Sequence, residues 1–203
     1  MEALFKAIDE LTDDNDVIAQ LMAVEAQGHD LHCVVGIAFE TSATELQRWG
    51  VVASNVLTSR VEIGEFGDLL SSTNHPLLLP YLEPVDELYV AHRPKDPASV
   101  LGQLYDHHTK LLGRWYPFDR FTNHDPLQLL TDGYGLLATG PRCLINAFSK
   151  ITDEHQMHSS VRRGNRERLW REGTWQDLPD VIAAVVLGTS FFIAESFKAT
   201  RMT

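Results

Sequence analysis

Apolar positions in this chain form short runs that switch between two spacings. At the amino end Leu4, Phe5, Ile8 and Leu11 recur at the interval of one helix face. Thr12, Asp13, Asp14 and Asn15 interrupt that pattern with residues that cap helices. Val17, Ile18, Leu21, Met22 and Glu25 resume helical spacing, and Gly28 suits a helix stop. The pattern predicts one interrupted helix or two short ones. Residues 31–39 are apolar and β-branched and read as a strand buried on both faces. Residues 41–47 fit a turn or a short helix. Residues 51–66 contain a second strand, clearest at 58–63, where Arg60 and Glu62 share one face and Val61 and Ile63 the other.

Residues 68–84 hold three prolines around a leucine-rich stretch, which predicts a loop with one helical turn. Residues 87–91 are a strand candidate. Asp96 and Pro97 open a helix with Val100, Leu101, Leu104, His108, Leu111 and Leu112 on its apolar stripe, and Gly113 ends it. Asp125-Pro126 opens a short helix through Leu130. Residues 134–138 and 142–151 read as two strands joined by Gly140-Pro141. Residues 162–175 read as a hairpin with Glu172-Gly173 at its tip.

Residues 181–194 carry no charge, and Asp180 and Glu195 bracket them. The run is shorter than the ~20 residues of a membrane span. It reads as a final helix, beginning near Asp177 and Pro179, apolar on all sides and so buried in the fold or in an oligomer interface. Homodimerisation through this C-terminal helix is the corresponding expectation. Strand candidates cluster between helices. The predicted fold class is therefore α+β: a mainly antiparallel sheet with helices packed on one face and the apolar C-terminal helix central.

The chain has 203 residues, 44% of them hydrophobic and 22% charged, which suits a single α+β domain over residues 1–203. Cys33 and Cys143 are the only cysteines, and the amino terminus lacks the pattern of an export signal, so reduced thiols and a cytoplasmic setting are expected. A net charge of -11 disfavours nucleic acid as a partner. The charge is uneven. Residues 1–30 hold eight carboxylates and one lysine, whereas Arg162, Arg163, Arg166, Arg168 and Arg171 face Glu167 alone within residues 162–171.

The densest chemistry lies at residues 114–125, where Arg114, Trp115, Tyr116, Phe118, Arg120, Phe121, His124 and Asp125 crowd together. In one reading Trp115 and Tyr116 flank a pocket, Arg114 or Arg120 holds an acidic group and His124 stands at the mouth. In the other the rings are core residues. Arg60 and Glu62 would add polar contacts from a sheet face. The arginine cluster is either a phosphate or carboxylate site, an RNA contact using Trp170 and Trp175, or an exposed face that offsets the acidic amino end.

Asp106-His107-His108 resembles a phosphoesterase signature, but within a helix the three side chains diverge by about 100° each. The pairs His29/His32 and His155/His158 lack a third metal ligand at diagnostic spacing. No serine elbow or Walker loop is present, and no cofactor is implied. These features favour a cytoplasmic domain that binds a small acidic or planar ligand. The alternative is an acidic interaction module, such as an inhibitor, immunity or accessory protein, steered to a basic partner. A metal-dependent hydrolase comes third.

Overall fold

The computed structural model describes the backbone of residues 1–12, 17–39 and 42–202, and the side chains of 1–8, 18–38 and 46–202. The chain runs α1 (Glu2–Thr12), β1 (Val17–Gln27), β2 (Asp30–Phe39), β3 (Ser42–Arg60), β4 (Gly64–Phe66), β5 (Leu69–Ser72), α2 (Leu79–Leu82), β6 (Val85–Val90) and α3 (Pro97–Leu112). It continues through α4 (Pro126–Asp132), β7 (Gly135–Pro141), α5 (Arg142–Glu154), β8 (Ser159–Arg162), β9 (Arg168–Arg171), β10 (Thr174–Asp177), β11 (Ala183–Leu187) and β12 (Ser190–Arg201). The protein is a mixed helix-and-sheet fold, and every strand pairing among the described residues is antiparallel. Contacts divide the chain into two compact units. Unit 1 is Met1–Leu78 with Val181–Thr203, and unit 2 is Leu79–Asp180.

Unit 1 is a seven-stranded sheet in the order β4-β1-β2-β3-β12-β11-β5, with α1. Connectivity forces this sheet to curl. Its two edge strands, β4 and β5, are separated in sequence only by Gly67 and Asp68. Laid flat at ~4.8 Å per strand, the edges would stand ~29 Å apart. The link between Phe66 and Leu69 reaches no more than ~11 Å. The sheet therefore bends round until the linked ends of β4 and β5 lie within that reach. The turn between β11 and β12 fastens that corner, because the Gly188 N–H donates to the Asp68 carbonyl at 2.9 Å. Local bulges in β1 and β3 supply strand bending. The concave face carries Leu21, Cys33, Val35, Ile37, Trp49, Val51, Val185, Leu187 and Phe192, and α1 lays the fully buried Leu4 among them.

Three expectations for unit 1 are corrected. Residues 17–25 form strand β1, not a helix. A bulge at Met22 shifts the pairing between Leu21 and Ala23, so inward side chains at 19, 21 and 24 include a three-residue step that imitates a helix. The segment read as a turn or short helix at 41–47 belongs to β3 from Ser42 onward. Residues 181–194 are not a C-terminal helix. They form β11 and the first part of β12, paired from Ala183↔Ala194 to Leu187↔Ser190. This hairpin is buried on both faces, which erases the alternation that marks a strand. The dimer expected through a C-terminal helix loses its structural basis. No helix among the described residues is long and apolar enough to cross a membrane.

Unit 2 contains a three-stranded sheet, β7-β6-β8, and a separate two-stranded hairpin, β9-β10. Helix α5 packs against all three strands of the first sheet and against α3. Its buried side is Leu144, Ile145, Phe148, Ile151 and Thr152, a helical spacing. Residues 142–151 are thus helix, and the expected second strand is corrected to α5. The α3 expectation holds in detail. Asp96 accepts from the Ser99 N–H at 3.0 Å, Pro97 opens the helix, and Gly113 ends it.

The corner at Gly188 is a direct check on the curl. Its φ is +60°, and an added Cβ would stand 3.1 Å from the Phe66 Cβ. Gly188→Val is expected to cost unit 1 about 1–3 kcal/mol, from backbone strain and the clash. Urea denaturation measures it, and unaltered stability would contradict the closed corner.

Candidate functional site

The segment 114–125 uses its rings as packing. Tyr116 and Phe121 are buried, and their rings meet edge to face at 5.7 Å. Phe118 stands edge-on to Tyr105 and to His108. Phe121 and Asn123 then run beside β7, through Thr139 N–H to Phe121 O and Asn123 N–H to Leu137 O. The arginines are outside. Arg114 is exposed and covers Trp115, with 5.3 Å to the ring, and exposed Arg120 covers Tyr116 at 4.7 Å. His124 is exposed, and Asp125 caps α4 by accepting from the Gln128 N–H. Phe118, Tyr105, Leu101 and Leu127 line an apolar cavity of about 440 Å³ that takes in no arginine.

Arg60 and Glu62 belong to unit 1. Arg60 ends β3 and lies over the Phe191 ring at 5.4 Å. Glu62 follows the strand and is tied to the β11–β12 turn, accepting from Thr189 Oγ1 at 2.7 Å. That contact anchors the turn.

Convergent polar chemistry lies around Asp86 in unit 2. The strand β6 alternates, so Asp86, Leu88 and Val90 point inward, and Asp86 is fully buried. Arg142, first residue of α5, meets this carboxylate with two nitrogens, Nε at 3.0 Å and Nη2 at 3.3 Å. Arg163 adds Nη1 at 2.5 Å, and the Gly164 N–H adds a bond at 3.0 Å. Only glycine fits at 164, because a Cβ there would collide with the Val85 carbonyl. Burial alone would raise the Asp86 pKa. Hydrogen bonds from Arg142, Gly164 and Arg163 outweigh burial and bring it down to about 2. The α5 amino end has no side-chain cap of its own. Glu83 supplies one from a distance, accepting from the Cys143 N–H at 2.6 Å.

This cluster floors a cavity of about 840 Å³ lined by Arg142, Arg166, Arg168, Glu167, Asp177 and Asp180, together with Pro84, Gly164, Asn165 and Leu178. Arg166 is fixed by backbone carbonyls, those of Tyr81 and Pro179. Arg168 donates to Asp177 Oδ1 at 2.9 Å and to the Trp175 carbonyl. Arg142 spends Nε and Nη2 on Asp86, which leaves Nη1 for another acceptor. One link reaches the 114–125 segment: burial pushes the Tyr116 phenol up, and Tyr81, Arg120 and Glu167 are its electrostatic neighbours. Asp86 stays ionised at neutral pH, while burial and Glu83 push the Cys143 thiol up to about 12.

The other candidates disperse. His155 bonds Gln103, whereas His158 packs tilted against His92 with centroids 4.3 Å apart. His32 lies on β2, and His29 in the turn before it. Among the described residues no group of three or more His, Cys, Asp or Glu could hold a metal. His108 is buried on the α3 stripe, and Asp106 pairs with Lys110 instead of with a histidine. Cys33 is a core thiol in unit 1, pushed up to about 11 by burial. Of the acidic amino end that would steer an interaction module, Asp13, Asp14 and Asp16 lie outside the described residues, as does the side chain of Asp9. Comparison with family models, curated proteins and solved structures finds no match to this chain.

Asp86→Asn removes the charge while keeping the shape. Charge-assisted hydrogen bonds contribute about 1.5–3 kcal/mol, and unit 2 is expected to lose about that much at pH 7 in urea denaturation. The sign with pH is definite. A carboxylate held below its ordinary pKa stabilises the fold above that value, and the contribution fades as pH falls from the ordinary 3.8 towards about 2. The difference between parent and variant should therefore shrink over that window. A gap that widens with acid would contradict the network.

Proposed function

We propose that this protein binds a small acidic ligand in the unit 2 cavity lined by Arg142, Arg166 and Arg168. The observation that carries this reading is the Asp86 clamp. A buried carboxylate fixes Arg142, a residue that lines the cavity, in a two-point grip through Nε and Nη2. A guanidinium already held in place loses little freedom when it takes up a carboxylate or phosphate, so its hydrogen bond to ligand is stronger for it. Arg166 is braced in the same way by the Tyr81 and Pro179 carbonyls. Arg168 is the adjustable member, with an exposed partner in Asp177.

The reading moves the ligand from the 114–125 segment to the arginine cluster. Tyr116 enters it only as an electrostatic neighbour of Glu167, and Arg120 only as a neighbour of Tyr116. Arg114, Trp115, His124, Arg60 and Glu62 take no part. Binding is the proposed activity because Asp86 is held as a carboxylate and Cys143 as a thiol at neutral pH.

Calorimetric titration with succinate, benzoate and inorganic phosphate tests the proposal. At least one of these is expected to bind the parent, and Arg168→Ala to weaken it about tenfold, a loss of ~1.4 kcal/mol. The Arg168–Asp177 pair is exposed and contributes little to folding, so the variant keeps its structure. No heat of binding from any probe, or equal affinity in the variant, would overturn the reading.

A further inference from the structure

The geometry points to a planar aromatic monoanion as the ligand, its charged group at Arg142 and Arg168 and its ring laid against Trp170 and Trp175. This inference rests on the anion site proposed above and names the class of compound that site takes. The hairpin β9-β10 is the starting observation. Its strands pair with each other and with no other strand among the described residues. Such a two-stranded ribbon is marginal by itself. It nevertheless holds two indoles in the open, Trp170 at 59% and Trp175 at 58% exposure. The two are direct cross-strand partners, with ring centroids 5.3 Å apart and planes at 66°. They form a preset aromatic corner with one side free.

Register connects this corner to the anion site. Residues two apart on a strand share a face. The pair next to Trp170↔Trp175 on that face, towards the base of the hairpin, is Arg168↔Asp177. Both of those residues line the cavity. The step from one pair to the next is ~6.6 Å, about the span from a carboxylate to the far side of an attached ring. A flat aromatic acid gripped by Arg168 thus reaches Trp170 without bending. The Arg168 guanidinium is held beside the hairpin by the Asp177 carboxylate and the Trp175 carbonyl, at 2.9 Å each, which leaves Nη1 outside both contacts.

Charge sets the second limit. Glu167, Asp177 and Asp180 also line the cavity, and they balance Arg142, Arg166 and Arg168 in formal charge. One negative group can sit among the guanidiniums. A chain of phosphates would be driven against the three carboxylates, which rejects polyanions as effectively as the arginines accept monoanions.

The experiment uses the whole chain and three probes in calorimetric titration: naphthalene-2-carboxylate, cyclohexanecarboxylate and ATP. Stacking of a ring on an aromatic side chain contributes ~1–3 kcal/mol, so naphthalene-2-carboxylate is expected to bind about tenfold or more tightly than cyclohexanecarboxylate. In the Trp170→Ala, Trp175→Ala double variant, with far-UV circular dichroism unchanged, that advantage should vanish while cyclohexanecarboxylate affinity persists. ATP is expected to bind more weakly than naphthalene-2-carboxylate. Equal affinity for the two carboxylates in the parent, an advantage that survives in the double variant, or tighter binding of ATP would each overturn the inference and leave the anion site standing. Failure of every probe on the parent would overturn the anion site as well.

Discussion

The carboxylate of Asp86 has lost all contact with water, and a buried charge persists only where hydrogen bonds replace its hydration. Here they come from far along the chain: Arg142 lies 56 residues on, Arg163 77 and Gly164 78. One side chain thus joins the inner face of β6, the first residue of α5 and the segment after β8. Remove the charge and these three segments lose their common anchor. The arginines themselves remain half in water, so the cost of losing Asp86 falls short of that of a stranded buried ion. What the clamp determines is position. Arg142 has its direction because Asp86 holds two of its nitrogens, and the cavity above has its floor because Gly164 is drawn against Val85.

Unit 1 depends on a constraint of a different kind. Among its described residues no buried charge organises it. Its curl follows from covalent reach, because the pair Gly67-Asp68 must join opposite edges of a seven-stranded sheet. The apolar concave face, closed over by Leu4 of α1, then contributes by burial. The sheet also explains where unit 2 enters. Residues 79–180 fall between β5 and β11, which are neighbours in the sheet, so the chain leaves and returns at adjacent strands.

Local signals were legible in the sequence, and non-local ones were not. Asp96-Pro97 with Gly113, Asp125-Pro126 and Glu172-Gly173 mark their elements because caps and turns act within a few residues. Helix α5 lacked such a mark. Its cap is Glu83, 60 residues away, so the stretch after Gly140-Pro141 resembled a strand. β1 resembled a helix because a bulge at Met22 breaks the alternation. β11 and β12 did so because burial on both sides removes polar positions; the Gly188-Thr189 pair between two apolar runs was the available hairpin signal. The site itself was half legible. The arginine cluster was visible as charge, while Asp86 lay just outside the strand expected at residues 87–91. Its place in phase with Leu88 and Val90 was the clue that it points inward.

Residues 114–125 drew attention by composition, and they earn it as structure. Their rings fill the space between α3, α5 and β7, and their arginines cover those rings from outside. The proposed anion site draws instead on donors that something else holds still. The Asp86 carboxyl is the group that holds Arg142. Carbon-13 NMR titration of this side chain reads its protonation directly. A midpoint near 2 is the expected result, and one at or above the ordinary 3.8 would contradict the clamp on which the cavity depends.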